Sequence, residues 1–141
     1  MSFQVAFTVE GKPRGKGRPR FARRGNFVST YTDAKTMSYE AEIKLAATLA
    51  MGSSKPLETP VKVYLTVKVP VPTSYSKKRT TACLNGLERP TKKPDIDNIA
   101  KIYLDAMNKV VYLDDTQVVH LVVSKIYGAE PFVAVHILEE V

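Results

Sequence analysis

Apolar and polar positions alternate most clearly near the N-terminus, where Phe3, Val5, Phe7 and Val9 interleave with polar or small residues. A period of two predicts a strand with one face against a core. The alternation stops over residues 11–30, which are rich in Gly, Pro and Arg. They read as an extended basic arm or loose hairpin, with Phe21 and Phe27 as candidate anchors. From Thr32 to Met51 the chain favours Ala, Leu, Ile, Glu and Lys, and Gly52 follows. This predicts a helix with Met37, Ala41, Leu45 and Thr48 on one face, ended by the glycine. Val61, Val63, Leu65, Val67 and Val69 alternate again between Pro60 and Pro70, predicting a second strand.

Residues 71–94 carry no core pattern, although Ser74 or Ser76 is placed to cap a short helix ending at Asn85-Gly86. A second main helix is expected over 97–109. Val118 to Tyr127 is apolar on both faces, as a central strand is. Phe132, Val133, Val135, Ile137 and Leu138 predict a last strand. The order β-α-β-α-β-β fits an α/β (α+β) fold, a single domain over 1–141 with a mixed sheet and two main helices packed on it. There is no internal repeat or dividing linker.

The chain has 141 residues, and that length suits one domain with a real core. Its 44% hydrophobic and 25% charged residues lie within the globular range. A single cysteine, Cys83, rules out an intrachain disulfide and a cysteine-built zinc site. With no apolar run of membrane-spanning length and no signal-peptide pattern, the expectation is a cytoplasmic protein with no membrane partner. The net charge of +7 becomes informative through its position. Seven of the 21 basic residues (Lys12, Arg14, Lys16, Arg18, Arg20, Arg23, Arg24) fall in 12–24 without an acid. Six more (Lys77, Lys78, Arg79, Arg89, Lys92, Lys93) fall in 77–93, opposed only by Glu88. Five of the six aspartates (Asp95, Asp97, Asp105, Asp114, Asp115) lie between 95 and 115. Two basic segments therefore flank one aspartate cluster.

On a helix advancing about 100° per residue, Asp97, Asn98, Lys101, Asp105 and Asn108 share roughly 100° of arc. Ile96, Ile99, Ala100, Tyr103, Ala106 and Met107 occupy the other side. Asp95 and Asp97 converge only where the chain is still extended at Asp95, and Pro94 places that junction at the helix start. Taken singly, an aspartate at a helix start is an ordinary cap, and Asp-Asp before a strand is an ordinary turn. Together, four carboxylates within reach of one another repel unless a cation neutralises them. Mg²⁺ suits oxygen-only ligands and takes substrate phosphate oxygens. Basic segments beside such a site describe phosphodiester chemistry.

The run KKPDIDNIAKIYLDAMNKVVYLDDTQVV resembles the signature of the RusA-type Holliday-junction resolvases. Its pattern is Asp-x-Asp-Asn, a lysine four residues after the second Asp, and Asp-Asp some eighteen residues beyond. KGRPRF, Lys16 to Phe21, resembles the arm of many relatives. The resemblance implies a homodimeric, Mg²⁺-dependent endonuclease (Mn²⁺ a plausible substitute) that resolves four-way DNA junctions by paired symmetric nicks in recombination and repair. It implies Asp95, Asp97 and Asp115 as essential acids and metal ligands, with Asp114 as a further ligand, and Lys101 as the essential lysine. Lys16, Arg18, Arg20, Lys77, Lys78, Arg79, Lys92 and Lys93 are the expected DNA contacts. The setting would be a bacterial cell or a phage-infected host.

Other features point elsewhere or nowhere. Gly11 to Gly17 lacks the spacing of a phosphate-binding loop and ends in glycine where Ser or Thr is needed. His120 and His136 read as packed or hydrogen-bonded strand residues, and Cys83 has no nucleophile setting. Tyr31, Tyr39 and Tyr75 offer stacking surfaces but more often such residues pack. Two other functions fit the same charges: a non-catalytic nucleic-acid-binding accessory protein, or a nuclease for forks and flaps.

Overall fold

The computed structural model describes residues 2–17, 20–25, 27–31 and 34–140, with side chains in the stretch 20–31 described only at Arg23 and Gly25. Strand β1 (Gln4–Glu10) leads into the arm, and a short hairpin follows from β2 (Arg20–Arg24) and β3 (Phe27–Tyr31). Helix α1 (Ala34–Met51), β4 (Val61–Pro70), α2 (Lys77–Leu84), α3 (Ile96–Met107), a 3₁₀ turn (Asp115–Gln117), β5 (Val118–Gly128) and β6 (Phe132–Glu139) complete the order. The main sheet runs β1-β6-β4-β5, with β4 and β5 parallel and the other pairs antiparallel. It is a mixed four-stranded sheet with three helices, an α+β domain.

Strand β4 is central, and its sequence alternation is reproduced in its burial: Val61, Val63, Leu65, Val67 and Val69 are buried, and the residues between them are half-buried. Val133, Val135 and Ile137 of β6 continue the same face, beneath Ile43 and Ala47 of α1 and Ile99, Ile102 and Tyr103 of α3. At full burial each such aliphatic side chain contributes about 1.5–3 kcal/mol, so this one shared layer holds both helices in place. The phenolic oxygens of Tyr39 and Tyr103 meet inside it, so neither hydroxyl is buried without a partner. Among the described residues no helix covers the opposite sheet face. There Tyr64 lies between His120 and His136, and His136 bonds Gln4 at 2.8 Å.

Two expectations are corrected. Val118–Tyr127 is not a central strand: β5 is the sheet edge, hydrogen-bonded on one side only. Its apolar residues on both faces are in part exposed, among them Val119, Leu121 and Val122. Helix α1 also turns a different face inward, burying Thr36, Tyr39, Ile43, Ala47 and Met51. Met37 and Leu45, assigned to the packed side from sequence, are 59% and 61% exposed, and Leu49 is 73% exposed. Apolar and charged residues are spread around the helix with almost no net amphipathicity, so periodicity alone does not select the face. Gly52 does end it, at φ +56°, a conformation that suits glycine. The short helix in 71–94 is present as α2, with the Ser76 hydroxyl accepting from the Arg79 amide at 3.1 Å and Asn85 closing the end. It buries Cys83, so the basic segment does reach the interior. Among the described residues no helix is long and apolar enough to cross a membrane.

Candidate active site

Helix α3 supplies the frame. Asp95 is its N-cap, with the extended backbone usual at that position, φ −72° and ψ 145°. Its Oδ2 accepts from Asn98 Nδ2 at 3.4 Å, a long contact. One side of the helix buries Ile99, Ala100, Ile102, Tyr103, Ala106 and Met107, which leaves Asp97, Lys101 and Asp105 on the other. This is the division that the 100° spacing predicts.

Asp97, Lys101 and Asp105 border a shallow depression of about 610 Å³, and Asp115 closes it from the turn before β5. Its floor is apolar, formed by Ile96, Ala100, Leu104, Leu121 and Val123. An apolar floor lowers the local dielectric and strengthens charge interactions at the rim. Asp114 has a different task. Its side chain accepts from the Thr116 amide at 3.1 Å and the Thr116 hydroxyl at 2.6 Å, while Gln117 reaches back to the Asp114 amide at 3.0 Å. The two residues form a capping box, and the hydrogen bonds from Thr116 hold the Asp114 carboxyl below its ordinary pKa. Of the adjacent pair, Asp115 is therefore the one that faces the depression.

Asp95 does not border that depression. It lines a separate open cleft of about 680 Å³ formed with Lys12, Arg14, Gly15, Lys16, Gly17, Lys35, Thr36, Lys93, Pro94 and Asn98. The four aspartates are thus not gathered into one group. Among the described residues no three His, Cys, Asp or Glu side chains are close enough to hold a metal together. The donor set still suits Mg²⁺, which typically uses one or two carboxylates and completes its shell with water and substrate phosphate. Of the rim carboxylates Asp105 is engaged by Lys16, which leaves Asp97 and Asp115 as the oxygen donors on that rim.

The arm is fastened to this frame. The Lys16 amide donates to the Asn98 carbonyl at 2.9 Å, and the Gly17 amide to Thr36 Oγ1 at 3.2 Å. Lys16 Nζ bonds Asp105 at 2.9 Å and Glu40 at 3.1 Å, bridging α3 and α1. Burial works against its charge, but the hydrogen bonds to Asp105 and Glu40 outweigh that and raise its pKa. Lys125, on β5, donates to the carbonyls of Lys92 and Pro94 at 2.7 and 3.1 Å. It ties down the segment entering Asp95.

The remaining basic residues divide by engagement. Lys77, Lys78, Lys92 and Lys93 are exposed. Arg79 lies 3.6 Å above the Tyr75 ring and bonds Glu88 at 3.0 Å, an arrangement that occupies both residues. Arg18 lies outside the described residues, as do the side chains of Arg20 and Tyr31. Arg14, Lys35 and Lys125 were not singled out from sequence as site residues. Lys125 reaches its partners across 31 and 33 residues, and no local pattern encodes such a contact.

Similarity to known proteins extends over nearly the whole chain. A protein of Bacillus subtilis (strain 168), described as the uncharacterized protein YqaN, is 41% identical over 141 residues, covering 96% of each chain. The family model described as "Endodeoxyribonuclease RusA" matches residues 10–138. That match takes in the arm, the capped helix α3 and the Asp114-Asp115 turn alike, and the chain belongs to the RusA endodeoxyribonuclease family.

Proposed function

We propose that the protein is a Mg²⁺-dependent, structure-selective endonuclease that resolves four-way DNA junctions by paired symmetric nicks, in recombination and repair. The observation that carries this reading is the joint rim of Asp97, Lys101 and Asp115 over one apolar-floored depression. Asp97 and Asp115 would hold the metal, with Asp95 the third essential acid on the cleft side and Asp114 keeping the turn that aims Asp115. A Mg²⁺ ion held by Asp97 and Asp115, or Mn²⁺ in its place, would supply the Lewis acidity for activating water and for the charge on the leaving oxygen. Lys101, one turn after Asp97, contacts the scissile phosphate and stabilises the charge that develops on it. Lys125 keeps the Asp95 segment in register with α3. The exposed lysines Lys77, Lys78, Lys92 and Lys93 hold DNA backbone, together with Arg79. Lys16 serves the same surface by fixing the arm that carries Arg18 and Arg20.

A homodimer fits the approximate two-fold symmetry of a junction, with one site for each of two strands. The unpaired β5 edge, with Val119, Leu121 and Val122 exposed beside the depression, supports β5 as the surface that meets a second copy. We place the activity in the cytoplasm of a bacterial cell or phage-infected host.

The test is direct. Fixed and mobile four-way junctions, forks, flaps and linear duplex are incubated with the protein, with and without Mg²⁺ or Mn²⁺, and the nicks are mapped. Symmetric paired nicks confined to junctions and dependent on metal are expected. Equal cutting of linear duplex would remove the structure selectivity. Preference for forks or flaps would change the substrate, and binding without any cleavage would make the protein a non-catalytic accessory.

A further inference from the structure

The cleft beside Asp95 has a different chemistry from the acidic depression. Its walls come from three segments distant in sequence: the arm, the first turn of α1, and the residues leading into α3. Lys12, Arg14, Lys35 and Lys93 line it, with Asp95 as the one carboxylate among its described lining residues. Lys16 also reaches it, but its ammonium is held by Glu40 and Asp105. None of the other four cations forms an ion pair among the described residues. Like charges brought together this way repel one another, and a bound anion relieves the repulsion.

The cleft is also held in shape. Gly15 lies so close to α3 that a Cβ there would stand 2.6 Å from the Asn98 Cβ, inside any normal contact. The backbone bonds at Lys16 and Gly17 and the double ion pair of Lys16 fix the same stretch. The backbone that carries the arm's cations is thus held beside the start of α1, where Arg14 and Lys35 also border a smaller pocket with Glu42. That lysine is in the first turn of α1, which has no acidic residue and whose N-terminal amides add partial positive charge.

We propose that this cleft is a phosphate subsite, holding a DNA backbone phosphate beside the bond that is cut, with Arg14 and Lys35 as its principal contacts. The assignment rests on the nuclease reading above and adds to it. Arg14 presents the planar fork that pairs two phosphate oxygens, and Lys35 contributes a point charge from the first turn of α1. The scissile phosphate belongs at the Asp97–Lys101–Asp115 rim, and a neighbouring phosphate in the cleft fixes which bond of the strand reaches it. The subsite positions DNA and takes no part in bond breaking.

The experiment measures binding of a four-way junction without divalent metal, between 50 and 200 mM salt, for the wild type, R14A, R14K, K35A, R14A/K35A and G15A. Each single loss of charge is expected to weaken binding about tenfold and to lower the salt slope by about one. G15A removes no charge, yet it is expected to weaken binding by displacing the arm. R14K is expected to keep the salt slope while losing part of the affinity, because the fork is gone. Thermal melts in inorganic phosphate run alongside. Wild-type affinity and slope in R14A/K35A would overturn the subsite. So would stabilisation by inorganic phosphate that these changes abolish while junction binding stays intact, since the cleft would then serve free phosphate. A wild type that neither binds nor cuts branched DNA would fail the nuclease reading itself, which separates the two failures.

Discussion

Helices α1 and α3 lie on the same face of the same sheet and offer opposite things to solvent. Helix α3 buries its apolar side and exposes Asp97, Lys101 and, in part, Asp105. Helix α1 buries one apolar stripe, Tyr39, Ile43, Ala47 and Met51, and exposes another, Met37, Leu45 and Leu49. A helix with a single apolar face announces both its packing and its free surface. A helix with two leaves the choice to the sheet beneath it. The exposed side of α3 gathers Asp97 and Lys101 at one depression, whereas that of α1 sets an apolar stripe beside separate charges such as Lys35 and Glu42.

The sharpest way to break the contrast is at Asp97. D97N is expected to reduce cleavage in Mg²⁺ by about a hundredfold or more while junction affinity stays within about twofold, because metal-assisted charge stabilisation contributes several kcal/mol. Near wild-type nicking by that variant would show that the polar side of α3 is not the catalytic one. The other helix is tested by a pair. I43A should destabilise the protein by about 2–5 kcal/mol in denaturant titrations, whereas L45A should stay within about 0.5 kcal/mol. Equal losses would mean that both stripes are buried in the working protein.

Smaller effects refine the picture. K125M should slow cleavage about tenfold with binding retained, and K125R should recover most of the rate if donation to the two carbonyls is what counts. V119K on the β5 edge should shift a dimer toward monomer in sedimentation, since a lysine there opposes edge pairing. A dimer that survives would move the contact to the exposed stripe of α1. Last comes the adjacent acidic pair. D114A should lower Tm by roughly a few degrees through loss of the cap, while D115N should leave Tm in place and reduce cleavage. The Asp114 carboxyl has a pKa depressed by Thr116, so its stabilisation is present above the unfolded-state value near 3.9. It is lost as pH falls through the lower folded value, and the Tm difference between wild type and D114A should shrink only in that acid range.

Much of this was legible where local rules act alone. The strand alternation of β1, β4 and β6, the polar arc of α3, the Ser76 cap and the Asn85-Gly86 stop all follow from spacing and capping chemistry. Strand β5 was misread because apolar residues on both faces have two causes, a central position or an edge with exposed apolar surface, and composition does not separate them. The grouping of the candidate residues was legible on α3, and a turn brings Asp115 to the same rim. The retreat of Asp95 into the cleft was not. Nor was the capture of Lys16 by Asp105, 89 residues away, because tertiary packing alone decides which basic side chains remain available.

The buried Cys83 has a practical consequence. Burial and the neighbouring Glu88 push its thiol pKa up, so little thiolate exists at neutral pH to react with a labelling reagent. A second cysteine introduced on the exposed surface of the arm, or on the α1 stripe, would be the one thiol that a maleimide dye readily reaches. The native sequence thus comes prepared for single-site labelling, and arm movement on junction binding can be followed by fluorescence without first removing a cysteine.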